Sequence, residues 1–276
     1  PCFGTIARIA RGNGHTKVLC QIDNVEPHEH HLTDKPFNRY YLHSVDGFVY
    51  MSEQVHSELR AYSDAPALFS PHPLFENFGE RVERSEACVR LGLDPANRYV
   101  LFFGLIRDYK GLDLLLDAWA QLRRAGRTEG RRLIVAGEFY TAREPYLNRI
   151  ADNGLQDEVL LHDRFIPDDD VKYYFSAADF VVQPYKTATQ SGVTQIAYQF
   201  CVPMVVTDVG GLSEIVPDGR VGYVCEPTVQ GVADAIARMY DGDTIERFRL
   251  NCIEERKRFS WEEMCTRIAE LYEMVR

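Results

Sequence analysis

Two metal and redox signatures are missing from this sequence: it contains no CxxC cysteine pair and no HExxH. Zinc ribbons, thioredoxin-like sites and zinc proteases are therefore not indicated. No run of about eighteen apolar residues occurs, which excludes a transmembrane helix. No signal-peptide pattern opens the chain. It begins at Pro1 rather than Met, so we expect a natural N-terminus further upstream. No DxD-type acid pair stands at a strand end. Asp168–Asp170 follow Pro167, where aspartates suit a helix start. Positive charge is in short supply: 31 Lys and Arg face 41 Asp and Glu, a net charge of −10. That balance argues against a nucleic-acid surface but permits a local basic pocket for an acidic ligand. No low-complexity tract and no internal repeat is visible.

Cysteine is present but unpaired in pattern. There are seven, and Cys20, Cys201, Cys225, Cys252 and Cys265 sit in apolar runs. Buried free thiols in a reducing compartment are expected, hence a cytoplasmic protein, with the inner face of the membrane as a further candidate location. His28, His30 and His31 crowd one segment, EPHEHH. Two readings stand: a metal site, or a solvated loop. The spacing favours the loop.

From about residue 17, strand and helix signals alternate to the end. Apolar strands are expected at 17–22, 47–51, 98–103, 132–136, 158–162, 179–183, 203–207 and 222–225. Helical runs fall at 52–61, 110–125, 143–153, 168–177, 192–200, 228–240 and 243–257. A last helix, 261–275, starts after Ser260, a fitting N-cap with Glu263 three residues on. Such alternation implies βαβ units and a parallel sheet. At 276 residues the chain has room for two domains. Residues 1–75 hold two strands, too few for a complete doubly wound sheet. Residues 70–80, SPHPLFENFGE, read as a linker. Residues 76–276 form the second domain, with helix 261–275 a candidate to pack back on the first.

The most informative stretch is 98–111, RYVLFFGLIRDYKG. A buried strand ends at Gly104, where the backbone can turn sharply. Arg107 and Lys110 follow, and Gly111 opens the run LDLLLDAWAQLRR. Two cations beside a helix N-terminus suit a phosphate or diphosphate. The plain alternative is a surface loop with solvated charges. A second strand–loop–helix unit occurs at 184–192, PYKTATQSG, where Ser191 and Gly192 offer a hydroxyl and backbone N–H groups. It too has a plain alternative, a simple cap. A third segment, TDVGGLSEIV at 207–216, brings Gly210, Gly211 and Glu214 after a buried strand. In doubly wound sheets such loops share one edge, where ligands bind.

Together these segments resemble the C-terminal domain of family 4 retaining glycosyltransferases (glycosyltransferase group 1) of the GT-B fold. The resemblance runs from FFGLIRDYKGLDLLLDA through AGEFY, RFIPDDDVKYYFSAADFVVQPYKTATQSG and CVPMVVTDVGGLSEIV to the closing FSW helix. DNVEPHE and DGFVYMSEQV resemble the second half of that family's acceptor domain. The implied fold is α/β: two Rossmann-like doubly wound parallel-sheet domains, the N-terminal one incomplete. The implied activity moves a sugar from a nucleoside-diphosphate donor to an acceptor hydroxyl, with anomeric retention and no metal or other cofactor. The implied setting is polysaccharide or glycolipid assembly. A carbohydrate or lipid-linked acceptor and peripheral membrane association fit this reading; nucleic acid does not.

The resemblance also assigns residues. Lys110 matches the lysine of the family's KG motif. The partner arginine normally follows the glycine directly; Leu105 stands there, and Arg107 two positions on is taken as its substitute. Both are expected on the donor diphosphate. Gly104, Phe165, Ile166, Thr189, Gln190, Ser191, Gly192, Gln195, Gly210, Gly211 and Glu214 are the other donor-side candidates, with base and ribose near Phe165–Ile166 and the 188–195 loop. The family's paired glutamates, spaced EX7E, are absent: Ala188 and Ile196 occupy their slots. Neutral groups must then recognise the sugar. On the acceptor side Asn24, His28 and Glu29 match an HNxxPHE-like motif whose leading histidine is Asp23 here. His28 is the candidate to orient the acceptor or take its proton. A structural loop is the alternative. Two rival functions remain: a nucleotide-sugar epimerase of the same fold, and a non-catalytic sugar- or nucleotide-binding protein.

Overall fold

The structure, a computed structural model, describes residues 2–25 and 34–276. It divides into two compact units, one of residues 1–73 and 258–276, the other of residues 74–257.

The first unit carries three parallel strands in the order β1-β2-β3: β1 Leu19–Ile22, β2 Gly47–Tyr50 and β3 Ala67–Phe69. Asp46 starts the first pairing. Its backbone N–H donates to Val18 O, and its carboxylate accepts from Val18 N, both at 2.8 Å. Helices α1 Cys2–Arg11, α2 Asp34–Leu42 and α3 Glu53–Arg60 flank the strands. The sequence reading found neither β3 nor α1 nor α2. A three-residue strand is too short to show a period, and α2 holds Pro36 and little apolar stripe.

The second unit is a six-stranded, wholly parallel sheet ordered β6-β5-β4-β7-β8-β9. Its strands are β4 Arg98–Phe103, β5 Arg131–Ala136, β6 Val159–His162, β7 Phe180–Gln183, β8 Met204–Thr207 and β9 Gly222–Cys225. Between them run α4 Arg84–Leu91, α5 Leu112–Arg124, α6 Glu144–Asp152, α7 Asp168–Ala177, α8 Gly192–Gln199, α9 Leu212–Ile215, α10 Val229–Met239 and α11 Thr244–Glu255. Strands buried on both faces read as continuous apolar runs, which is why these six are plain in the sequence. On one face Val100, Phe102, Leu133, Val135, Val182 and Val205 pack with Trp119 of α5 and Ile236 of α10. On the other, the Phe175 ring lies between those of Phe103 and Phe200, with centroids 5.1 and 5.6 Å away.

The last helix, α12 Trp261–Val275, closes the chain on the first unit's sheet. Ser260 Oγ accepts from Glu263 N at 3.1 Å and caps it. Met264 and Leu271 bury against Val49 and Met51. A Cβ on Gly47 would sit 2.9 Å from Leu271 Cδ1, so glycine there lets the helix approach. Residues 76–276 are therefore not one continuous unit, because the chain returns to the first near residue 258. The segment 70–80 is not a bare linker either. It holds a 3₁₀ turn, Glu76–Phe78, and belongs to the second unit from Leu74 on.

All seven cysteines are free thiols. Cys20, Cys88 and Cys252 are buried, whereas Cys265, expected inside, is exposed on α12. Among the described residues no helix is long and apolar enough to cross a membrane.

Candidate active site

The strand order reverses between β4 and β7. Loops leaving the carboxyl ends of such neighbours splay apart and open a crevice. The loops concerned are 104–111 and 184–191, the two that the sequence marks.

The β4 loop is held by its neighbours. Gly104 N donates to Ala136 O at 2.9 Å and Ile106 N to Glu138 O at 2.8 Å. A 3₁₀ turn, Asp108–Lys110, follows. Its Asp108 carboxylate accepts from Thr141 Oγ1 at 3.0 Å and Tyr146 OH at 2.9 Å, which anchors the turn. Gly111 then adopts φ +69°, and a Cβ there would lie 2.0 Å from Pro184 O. Only glycine permits that approach. The contact, with Lys186 N donating to Tyr109 O at 2.7 Å, draws the β4 and β7 loops together.

Three cations stand on these loops, and they differ. Lys186 is consumed by Asp113 at 2.7 Å. Among the described residues no carboxylate pairs with Arg107 or Lys110. The Arg107 guanidinium lies over the Tyr140 ring at 5.3 Å. Lys110 turns inward: its Nζ would be 3.2 Å from a Cβ on Gly104 and lies 5.8 Å from the Tyr185 ring centroid. Burial, with Arg107 as a like charge beside it, pulls the Lys110 pKa down to about 8. An anion in this place would be welcomed by both groups.

The β7 loop ends at Ser191, the N-cap of α8. Its Oγ accepts from Val193 N at 3.2 Å and bonds Tyr185 OH at 3.1 Å. The Ser191 hydroxyl is thus held in place at the helix start by Val193 N–H and Tyr185. Among the described residues Gly192 N–H has no acceptor and is the free donor at this helix start. Behind the loop, Gly210 adopts φ +54°, and a Cβ would meet Ala188 O at 1.6 Å. Gly211 N donates to Thr189 O at 3.0 Å. The Gly210–Gly211 turn thus acts on the ligand loop through its backbone. Glu214 is half-buried in the short α9.

A cavity of about 300 Å³ opens between these loops, lined by Gly104, Lys110, Gln190, Ser191, Gly192, Val193 and Ile196. Phe75, Phe78, Phe103, Tyr109 and Tyr185 complete it. Ile196, in one missing glutamate's slot, is 7% exposed and presents an apolar wall. Among the described residues Gln190 Nε2, in the cavity wall, and Gln195 Oε1, one residue before Ile196, are buried without a partner. Unmatched buried polar atoms are costly, and a ligand in the cavity that meets Gln190 would relieve that cost. A second, more apolar cavity of about 190 Å³ adjoins through Phe78, Phe103 and Gly104 and is lined by Leu105, Phe165 and Ile166. Phe165 is 64% exposed at its edge.

Sequence reading missed Phe75 and Phe78. They stand in the Pro-rich stretch 70–80, where two aromatics three residues apart are the signal the sequence offers; their ring centroids are 6.0 Å apart. Asn24 is exposed just past β1 in the first unit. His28 and Glu29, with His30 and His31, lie outside the described residues. Among the described residues no group of three or more His, Cys, Asp or Glu is placed to hold a metal ion.

A doubly wound parallel sheet with paired cations at its switch point defines an α/β nucleotide- or phosphate-binding class. Comparison with known proteins gives the family. The profile of the glycosyl transferases group 1 matches residues 97–242. The chain is 31% identical over 235 residues to the lipopolysaccharide core biosynthesis mannosyltransferase LpsB of Rhizobium meliloti (strain 1021), covering 77% of this chain and 62% of that protein. It is 28% identical over 202 residues to a D-inositol 3-phosphate glycosyltransferase of Jonesia denitrificans, covering 70% and 47%. Sucrose-phosphate synthase (tll1590) from Thermosynechococcus elongatus superposes with a TM-score of 0.80 at 20% identity, covering 98% of this chain and 71% of that one. Anabaena Alr3699/HepE in complex with UDP-glucose gives 0.76 at 17%, covering 98% and 76%. The chain belongs to the group 1 glycosyl transferases, and its two parallel-sheet units have the GT-B architecture. It spans about half the length of the curated relatives it matches.

Proposed function

We propose that this chain carries the donor site of a retaining glycosyltransferase, which moves a sugar from a nucleoside diphosphate to an acceptor hydroxyl in polysaccharide or glycolipid assembly. The observation that carries the reading is the pair Arg107 and Lys110. Among the described residues neither pairs with a carboxylate; Lys110 lines the crevice cavity at the switch point, and Arg107 stands near enough for its charge to be felt there. As the sugar–phosphate bond breaks, negative charge grows on the leaving diphosphate. Fixed cations and the Gly192 N–H stabilise that charge without reorganising, an effect worth about 3 kcal/mol per donor in comparable sites. Phosphate neutralisation falls to these groups and needs no metal. Base and ribose take the apolar cavity beside Phe165 and Ile166, and the sugar meets Thr189, Gln190 and Gln195. Asn24, His28 and Glu29 serve the acceptor, which is a carbohydrate or a lipid-linked sugar at the cytoplasmic membrane face.

Several observations support this reading. The relatives are named as a lipopolysaccharide core biosynthesis mannosyltransferase and a D-inositol 3-phosphate glycosyltransferase. One structural neighbour was solved with UDP-glucose. Calorimetry against a panel of nucleoside diphosphates and nucleotide sugars tests it. Saturable binding of one nucleotide class is expected. Binding of free sugars without nucleotides would replace the proposal with the sugar-binding alternative.

A further inference from the structure

A larger cavity, of about 710 Å³, opens at the opposite edge of the second unit's sheet, near the amino ends of its strands. One wall is α11, which turns Glu246, Arg249, Leu250 and Ile253 to one side, at helical spacing i, i+3, i+4 and i+7. The other walls are residues 80–84 and 199–201, the latter joining α8 to β8. None of these groups takes part in the site above.

We propose that this cavity binds a phosphate monoester, held by the guanidinium groups of Arg81, Arg249 and Arg256. Arg81 Nη1 donates to Phe200 O at 3.0 Å, and Arg256 Nη1 to Gln199 O at 3.0 Å. Those bonds satisfy carbonyls at the end of α8 and fix both side chains at the cavity. Each guanidinium has five N–H donors, so most of each remains free. Arg249 takes no part in that cap, and among the described residues its Nε is buried without a partner. Glu80, Glu83 and Glu246 line the same mouth. Among the described residues none of them pairs with the three arginines. Arg81 and Arg249 face one another closely enough for like-charge repulsion to add to burial in lowering the Arg81 pKa. Glu246 and Glu83 act on Arg81 in the opposite direction, yet the net shift stays downward. Guanidiniums so apposed are eased by a multivalent anion, and planar forks match phosphate oxygens best. The ester's carbon skeleton has a place as well. Leu250 and Ile253 are 56% and 46% exposed on the α11 wall.

The ester can be a soluble phosphorylated metabolite or a lipid headgroup, and the test separates them. Binding of the probes at the other edge is removed by working in the Arg107→Ala/Lys110→Ala background. Glycerol 3-phosphate is titrated by calorimetry at constant ionic strength. Vesicles of phosphatidylcholine with and without phosphatidic acid are tested by co-sedimentation. Arg249→Ala spares the α8 carbonyls, so circular dichroism should show an intact fold. Saturable binding that falls about tenfold or more in Arg249→Ala, and less in Arg249→Lys, is expected from loss of a charge-assisted contact. Binding of glycerol 3-phosphate alone assigns a soluble ester. Retention by phosphatidic acid vesicles that is lost in Arg249→Ala assigns a headgroup. The proposal is overturned if neither probe binds saturably, or if Arg249→Ala binds as tightly as its parent.

Discussion

Raising the pH from 7.5 to 9.5 should weaken nucleoside-diphosphate binding about 25-fold through Lys110 alone. The free Lys110 titrates at about 8, because burial and the Arg107 charge disfavour its ammonium. About three-quarters of the molecules therefore carry the charge at pH 7.5 and about 3% at pH 9.5. A bound diphosphate favours the ammonium and raises the pKa again, so binding takes up a proton across this window. The terminal phosphate is already ionised there, since its second pKa is about 6. The assay is calorimetry at half-unit pH steps in buffers of differing ionisation enthalpy, which also counts the protons. In Lys110→Ala the steep loss should vanish, leaving weak binding nearly flat with pH. Wild-type affinity that is constant from pH 7.5 to 9.5, or an equally steep profile in Lys110→Ala, would refute the assignment. Stability should move the other way. The unfolded chain holds this proton up to about 10.4, so the fold gains stability as pH rises from about 8 to about 10.

Other outcomes follow from the same geometry. EDTA should leave nucleotide binding unchanged, and restoration of lost binding by magnesium would show that the cations are not the neutralising groups. Gly192→Val should fold, since Gly192 has no left-handed φ. Its new Cβ would meet the Phe75 ring at 3.3 Å and intrude on the cavity, so binding should drop more than tenfold. Gln190→Ala should change the ranking among nucleotide sugars while sparing nucleoside-diphosphate affinity; equal losses for both would place the amide on the phosphates. Leu271→Ala should cost about 2–5 kcal/mol, read by urea unfolding, because it opens a cavity under α12 on the first unit's sheet. A change below about 0.5 kcal/mol would mean that α12 is dispensable there.

The parts legible in the sequence were those with a local physical signature. Buried parallel strands are unbroken apolar runs, so β4 and β7 were plain, and the loops leaving them pointed to Arg107, Lys110 and Gly192. The cap at Ser260 was legible because Ser and Glu263 stand three residues apart. Other features depend on contacts between distant segments. Nothing local says that Lys186 is neutralised by Asp113 while Lys110 is not. That outcome follows from Gly111 meeting Pro184, 73 positions on. Phe75 is the N-cap and Phe78 the last residue of a three-residue 3₁₀ turn, too short to show a helical or strand period. The contact that seats α12, Leu271 against Gly47, joins two residues unremarkable in isolation. The loss of the paired glutamates was visible directly. The pairing of their slots with two unpartnered glutamines, Gln190 and Gln195, needed side-chain geometry.

The central claim is that Arg107 and Lys110 hold the donor diphosphate. Calorimetric titration of wild type and Arg107→Ala/Lys110→Ala with the preferred nucleoside diphosphate tests it most directly, with circular dichroism confirming the fold. Each charge-assisted contact contributes about 1.5–3 kcal/mol, so the double variant should lose at least a hundredfold in affinity. An affinity within threefold of wild type in the folded double variant would contradict the account.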